Sequence, residues 1–393
     1  MISVDEARQI LEANTPEGRS YSLPLTEANG LILAEDIFTG ISVPPFDNSA
    51  MDGYAMNYVA GQTQWTIRGE IPAGSGVALT VKKGEAVRIF TGSPMPADTN
   101  TVIPQEDVTI EGDQLICTKQ GIQKGANVRT TGSQIRQGQL LMVAGSTITP
   151  GAIGLLASTG KSQVPIYTPP LVGIIVTGNE LIPPGKALKP GKIYNSNAPM
   201  LEASLQQLGV CRISTAQVSD HYAATRQMIA DFIDHHDLVI ISGGISVGDY
   251  DFVKSALDSL GAKTLIYKLK QRPGKPFYAG LCQNKMVFAL PGNPASVLSC
   301  FNHYVKPVIK KMMGKQRVWQ PDNLATLTTA VEKKKGFTFF LKGKYQNGQV
   351  EVLQGQQSFN LIAFSEANCF IELPEEVERL NAGTQVATHF LYL

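Results

Sequence analysis

Long hydrophobic runs are missing from this sequence. The longest, such as "LVGIIV" from Leu171, are strand-sized, far below the roughly 20 residues a membrane-crossing helix needs. No membrane span is expected. An excess of one charge is also missing: 34 Lys+Arg against 33 Asp+Glu leave a formal net charge of +1. A general polyanion binder would show a basic excess, so nucleic acid is not an expected partner. Cysteine is scarce, with Cys117, Cys211, Cys282, Cys300 and Cys369 scattered singly. That dispersal excludes a paired-cysteine zinc site. An odd number in apolar company predicts reduced core thiols in a cytoplasmic protein. The start, "MISVDEARQILEA", has no basic segment and apolar stretch of a signal peptide,.

What is present is a soluble globular composition, 43% hydrophobic and 17% charged. A chain of 393 residues exceeds one ordinary core, so two to four domains are expected. Ser3 and Glu6 fit a capping box for a first helix with Val4, Ala7, Ile10 and Leu11 on one face,. Residues 20–140 alternate short strand-like runs with turns such as "PAGSG" and "SPMPAD", predicting one or two β-rich units,. A helix follows Thr149-Pro150,. Between about Pro170 and Gly314, continuous apolar strands alternate with helices. One of these helices, "DHYAATRQMIADFIDHH", has Asp220 as its expected cap, and its His235-His236 complement the helix dipole,. The pattern predicts a doubly wound parallel sheet covered on both faces, a three-layer α/β domain. Beyond "KQRVWQP" the chain turns to strands, with a hairpin at Asn347-Gly348, predicting a C-terminal β-barrel or sandwich,.

Ligands in open α/β sheets sit beyond the carboxyl ends of the strands, near a topological switch point. Four such ends carry special loops: "TGNEL" from Thr177, "SGGISVGDYD" from Ser242, "KQRPGKPF" from Lys270 and "LPGNPAS" from Leu290. Gly243-Gly244 allow backbone N–H groups close to an anion or flat heterocycle. "PGNPAS" opens a helix, which favours an oxyanion. Lys263, Lys268, Lys270, Arg272 and Lys275 form a run without an acid, while Glu180, Asp249 and Asp251 stand nearby in the expected fold. Cations and carboxylates at one sheet edge suit an anionic substrate held with a divalent metal. Each signal has a plainer reading. Gly-Gly after a strand is usually a tight turn, "PGNP" a helix cap, a lysine run a solvated face, and Asp251 a helix N-cap. The coincidence of four unusual loops at one edge favours a site. A fifth segment, "VPPFDNSAMDGYAM" from Val43, lacks periodicity and has turn-forming Asp47-Asn48-Ser49 and Asp52-Gly53, as a shaped functional loop does,.

The motifs "PPFDNSAMDGYA", "GEAVRIFTGSPMP", "TGNEL", "SGGISVGDYDFVK", "RPGKPF" and "LPGNPAS" together resemble the molybdopterin molybdenumtransferases (the MoeA family), to which the C-terminal domain of gephyrin is related. The resemblance spans nearly the whole chain, and the first motif is its most specific part. It implies a discontinuous linker domain over 1–40 and 141–168 and a β-rich domain over 41–140. An α/β molybdopterin-binding domain over 169–316 and a C-terminal β-barrel over 317–393 would follow. It implies an elongated homodimer whose site joins one subunit's α/β domain to the other's β domain. The implied reaction transfers molybdate onto the dithiolene of adenylylated molybdopterin and releases AMP, with Mg²⁺ required. Molybdopterin adenylyltransferase, molybdoenzymes and their chaperones are the implied partners.

Carried over by position, the resemblance gives catalytic roles to Asp52, Thr91, Glu180, Asp220, Asp251, Lys268, Arg272 and Lys275. Glu180 and Asp251 would hold the metal. Gly243, Gly244, Ser246, Gly292, Asn293, Pro294 and Ser296 would bind the cofactor substrate, with Ser246 and Ser296 beside Arg272 and Lys275 for molybdate. Several positions depart from the family pattern: Gln134 stands for an acid, Thr131 for a base, Asn179 for Asp and Arg272 for Lys. Lys342 and "QSFN" around Ser358 stand where relatives tend to have an Arg and a Ser-Ser-Gly turn. The alternatives are a weakened pterin-binding or scaffold paralogue and a molybdopterin adenylyltransferase, which resembles only the middle of the chain.

Overall fold

A computed structural model describes residues 1–74, 79–245 and 252–392. Two compact units emerge: Met1–Tyr21 with Ile166–Leu393, and Ser22–Pro165.

In the first unit the apolar runs form a six-stranded sheet. Its strand order is Ile213–Val218, Val172–Thr177, Leu238–Ser242, Lys285–Leu290, Tyr278–Cys282, Lys263–Tyr267. The first four are parallel, as expected; the last two run antiparallel to their neighbours. The hairpin Gln283-Asn284, both at positive φ, is what reverses the chain there,. Every residue of Val172–Thr177 and of Leu238–Ser242 is buried, which requires cover on both faces. Ile174, Val176, Ile240 and Phe288 meet Leu201, Leu205, Val297 and Val308 on one side. Ile175, Val239, Ile241 and Val287 meet Ile229, Ile233, Val253 and Leu257 on the other. This period-two division produces the three layers. From Val172–Thr177 the chain crosses first to one neighbour and then to the other, so Thr177 and Ser242 flank the switch point,.

Downstream, Thr338–Gln346, Gln349–Val352, Asn323–Leu327, Gln385–Phe390 and Cys369–Leu373 close into a five-stranded barrel through the pairing of the first and last of them. Asn347 and Gly348 both take positive φ, the geometry a two-residue hairpin needs,. The first helix spans Val4–Asn14, and its capping box of Ser3 and Glu6 is present.

In the second unit a six-stranded sheet carries apolar clusters around Trp65 and Leu115 and around Val87 and Val102. Thr149 caps Pro150–Ser158 through the Ala152 N–H. Two expectations change. Asp220 does not cap Tyr222–His235, which has no side-chain cap; its carboxylate is engaged elsewhere, as shown below. Not all thiols are in cores either: Cys211 is exposed and Cys117 half-buried. No described helix is long and apolar enough to cross a membrane.

A largely buried ion pair, with about 15% of each side chain exposed, joins the first helix to the barrel. Arg8 donates to both Glu372 oxygens at 3.0 and 2.7 Å, and His389 Nε2 lies 2.7 Å from Glu372 Oε2. Burial pushes the Glu372 carboxyl up, but the His389 and Arg8 hydrogen bonds and the guanidinium charge outweigh it and bring it to about 2. The shift is downward, so its stabilisation is complete above the ordinary glutamate value of 4.5 and is lost as pH falls toward about 2,. Arg8→Met should lower the unfolding free energy at pH 7 by about 3 kcal/mol, and Arg8→Met with Glu372→Leu should recover most of it. Urea unfolding checks this; an Arg8→Met protein as stable as the parent contradicts it.

Candidate active site

The polar strand tips of the first unit enclose a cavity of about 1030 Å³ at the switch point. Thr177, Glu180, Asp220, Gly243, Gly244, Arg272, Lys275, Gly292, Asn293 and Ser296 line it. The four loops singled out in the sequence therefore do meet. Lys268 and Pro294 are not among the lining residues; the Lys268 ammonium lies 4.7 Å from the Tyr267 ring centroid. Ser246, Asp249 and Asp251 lie outside the described residues.

The glycine pair has a steric origin. Gly243 and Gly244 take φ of +94° and +65°, and a Cβ on either would press on Thr177 Oγ1, at 2.7 and 3.1 Å. Gly243 does not offer its N–H to a ligand, because it donates to the Leu290 carbonyl at 3.1 Å. The strand ladder runs one residue further than the sequence indicates. The helix start at Pro294 is likewise partly used: the Ala295 N–H donates to the Ser358 carbonyl at 3.1 Å. The Ser296 hydroxyl, by contrast, has no partner among the described residues and faces the cavity lining.

The cationic loop is held from beneath by Gln271. Its amide nitrogen donates to the Pro273 carbonyl at 2.9 Å and approaches Cys300 Sγ at 3.6 Å, while its oxygen accepts from the Tyr304 hydroxyl. Gly274, at φ +94°, sits so close that a Cβ would meet Cys300 Sγ at 2.5 Å. Arg272 is exposed, its guanidinium 5.2 Å from the Phe337 ring centroid. Lys275 is exposed and makes no ion pair or side-chain hydrogen bond among the described residues. An unpaired ammonium and a free hydroxyl lining one cavity suit an oxyanion,.

On the acidic side, Asp220 accepts the Asn179 N–H at 3.0 Å, and Asn179 Oδ1 accepts the Asp220 N–H at 3.3 Å. The two loops are tied through the position where the sequence departs from the family's Asp. The Glu180 carboxylate folds over Gly178 and has no partner among the described residues. No group of three or more His, Cys, Asp or Glu side chains gathers there among the described residues. The free Glu180 carboxylate, without a closed cage, fits Mg²⁺, which is commonly held by one or two carboxylates together with substrate phosphates and water,.

Three lining residues escape a motif search. Asn197 spends both amide hydrogens, on Ser242 Oγ and the Gly292 carbonyl at 2.9 Å each, and its buried oxygen has no partner. In sequence it reads only as the start of a helix. Gln356 and Gln357 arrive from the barrel, in a loop whose polarity marks a turn and nothing more. That loop is pinned by Lys342, which is 1% exposed. Its ammonium donates to the carbonyls of Gly355, Gln357 and Asn360 at 2.6, 3.2 and 2.7 Å. Burial pushes this ammonium's pKa down. Lys342 therefore supports the loop, and Ser358 reaches the helix start by accepting from Asn293 Nδ2 at 2.9 Å.

Asp52 and Thr91 belong to the other unit. There they are paired: Asp52 Oδ1 accepts both the N–H and the hydroxyl of Thr91, at 2.8 and 2.7 Å. Those bonds pull the Asp52 carboxyl below its usual range. Asp47 does the same with Thr131, at 2.7 and 2.8 Å, so Thr131 serves as a loop anchor. Gln134 is exposed.

With this geometry in view, the comparisons are decisive. Residues 2–160 match the family described as the MoeA N-terminal region (domain I and II), 173–311 the probable molybdopterin binding domain, and 325–391 the MoeA C-terminal region (domain IV). The molybdopterin molybdenumtransferase of Haemophilus influenzae is 36% identical over 397 residues, covering 98% of each chain. The chain belongs to the molybdopterin molybdenumtransferase family. Molybdopterin molybdenumtransferase 2 of Mycobacterium tuberculosis is 32% identical, again over 98% of each chain. A crystal structure of the molybdopterin biosynthesis MoeA protein of Pyrococcus horikoshii superposes with a TM-score of 0.86 at 29% identity. It covers 100% of this chain and 99% of that one. The α/β and barrel architecture is that of a molybdopterin molybdenumtransferase, and the family is one of transferases.

Within that family frame, Lys342 gives a direct test of the loop. Lys342→Met should cost about 2 kcal/mol, because three part-buried loop carbonyls lose a charged donor,. Urea unfolding and the rate of proteolysis between residues 353 and 361 measure it; unchanged values for both contradict the supporting role.

Proposed function

We propose that this protein inserts molybdate into adenylylated molybdopterin, releasing AMP and the molybdenum cofactor. The observation that carries the reading is the cavity at the switch point, which among the described residues combines an unpaired ammonium, a free hydroxyl and a free carboxylate. In this reading Lys275, Arg272 and Ser296 bind and orient the oxyanion, with Ser246 contributing from beyond the described residues. Gly244, Gly292 and Asn293 line the pterin side, Pro294 opens the helix behind them, and Gly243 shapes the floor. Lys268 adds positive field from the edge of the sheet. Glu180 and Asp251 hold Mg²⁺, and Asp220 fixes the loop that carries Glu180. Bound there, Mg²⁺ would neutralise charge on the phosphates and so favour departure of AMP.

Asp52 and Thr91 act from the β domain of a second subunit, so the protein works as a cytoplasmic homodimer with four domains per chain. Its cofactor product passes to molybdoenzymes or their chaperones, and its substrate comes from an adenylyltransferase. The Asp52–Thr91 hydrogen bonds favour the ionised carboxylate that this role requires,.

The test is AMP release from adenylylated molybdopterin with molybdate and Mg²⁺. Lys275→Ala should raise the molybdate requirement by about tenfold, the loss of one charge-assisted contact, and leave pterin affinity nearly unchanged. Equal losses of both contradict an oxyanion role. Asp52→Ala should abolish turnover with unchanged Tm. Mixed with an equal amount of Lys275→Ala and assayed at molybdate well below that variant's requirement, it should give about a quarter of parental activity through mixed dimers with one intact site. No recovery on mixing contradicts a site shared between subunits.

A further inference from the structure

On the first unit, away from the strand tips, the helix that follows Leu290 widens. After Pro294–Cys300 it makes a π turn over Phe301–Val305 and continues as Lys306–Met312. Pro307 cannot donate to the His303 carbonyl four residues before it, and the Lys306 N–H reaches back to Phe301 instead. Such turns often mark functional positions. Here it turns His303 and Lys306 into two adjoining depressions of about 30 and 190 Å³, which share Asn302, Lys306 and Lys310 as a wall.

The groups on that wall lack compensation. His303 is 3% exposed, and its Nε2 has no hydrogen-bond partner. Lys306 is 9% exposed; its ammonium donates to the Phe390 carbonyl at 2.8 Å and Asn302 Oδ1 at 3.5 Å. Among the described residues no carboxylate lies within ion-pair distance of Lys306 or Lys310. Asp322 is the one acid lining the smaller depression, and one of its oxygens is already occupied by the Phe390 N–H at 2.7 Å. Arg8, also at that edge, is neutralised by Glu372. Burial first, then repulsion by Lys310, pushes the Lys306 ammonium down to about 8, with the Asp322 charge offsetting only part of this. Burial lowers Lys310 as well. A buried ammonium beside a half-buried one, with a single nearby carboxylate and an orphaned ring nitrogen, forms an unbalanced group that an anion would join,.

We propose that this cleft is a second anion site, taking a phosphate monoester on Lys306, Lys310 and His303 with its organic part against Met313 and Tyr392. Those two side chains line the larger depression together with Lys315. The site is separate from the strand-tip cavity, with which it shares no lining residue. A dianion there offsets the Lys306–Lys310 repulsion and gives His303 Nε2 an acceptor or donor.

The experiment is calorimetric titration of the full chain at pH 7 and constant ionic strength with phenyl phosphate and, separately, inorganic phosphate. Binding should persist in Lys275→Ala and weaken by about tenfold in Lys310→Ala, the loss of one charge-assisted contact. Tighter binding of phenyl phosphate assigns an ester ligand; equal affinities assign free phosphate to the same site. A second measurement is made on the parent chain. In carbon NMR of the lysine ε-methylenes, the Lys306 and Lys310 signals, assigned by their loss in Lys306→Ala and Lys310→Ala, should titrate below the ordinary lysine range and move up when phosphate is added. Binding lost in Lys275→Ala but kept in Lys310→Ala overturns the proposal. So do lysine signals that ignore phosphate.

Discussion

The structure depends on one constraint: a sheet whose central strands are buried on both faces can carry polar chemistry only at its tips. Val172–Thr177 and Leu238–Ser242 have no exposed residue. Helices cover each face, with Leu201 and Val297 on one side and Ile229 and Val253 on the other. The polar side chains the sequence places after these strands therefore converge. Because the chain crosses in opposite directions from its first strand, they converge on a crevice at the switch point,.

Within that crevice most polar groups are already satisfied by the protein. Gln271 braces the cationic loop, Asp220 and Asn179 lock each other, Lys342 pins the barrel loop, and Ser358 takes the Ala295 N–H. Among the described residues what remains is a short set: the Lys275 ammonium, the Arg272 guanidinium, the Ser296 hydroxyl, the Glu180 carboxylate and the Asn197 oxygen. Those are donors for an oxyanion, a carboxylate for a metal and an acceptor for an N–H. Preorganised groups held by a satisfied surround lose little entropy on binding.

Much of this was legible in the sequence, because it rests on local signals. The capping box at Ser3, Pro150 behind Thr149, the Asn347-Gly348 hairpin and the continuous apolar runs each name their element. Long-range polar partners left no such trace. Asp220 looks like a helix cap until the fold brings it to Asn179. Lys342 sits in a strand whose pattern reveals nothing about the three carbonyls it meets. Gly243 reads as an anion loop, yet its N–H belongs to the sheet. The antiparallel edge of the sheet was missed because strand direction depends on a two-residue reversal at Gln283-Asn284. Residue type was readable; the identity of a partner a hundred residues away was not.

The central claim is that the strand-tip cavity is an oxyanion site. Anomalous diffraction from crystals soaked in tungstate tests it most directly, since the heavy scatterer reports its own position. The account predicts a peak within hydrogen-bonding reach of Lys275 and Ser296. A peak elsewhere on the chain, with that cavity empty, would contradict it.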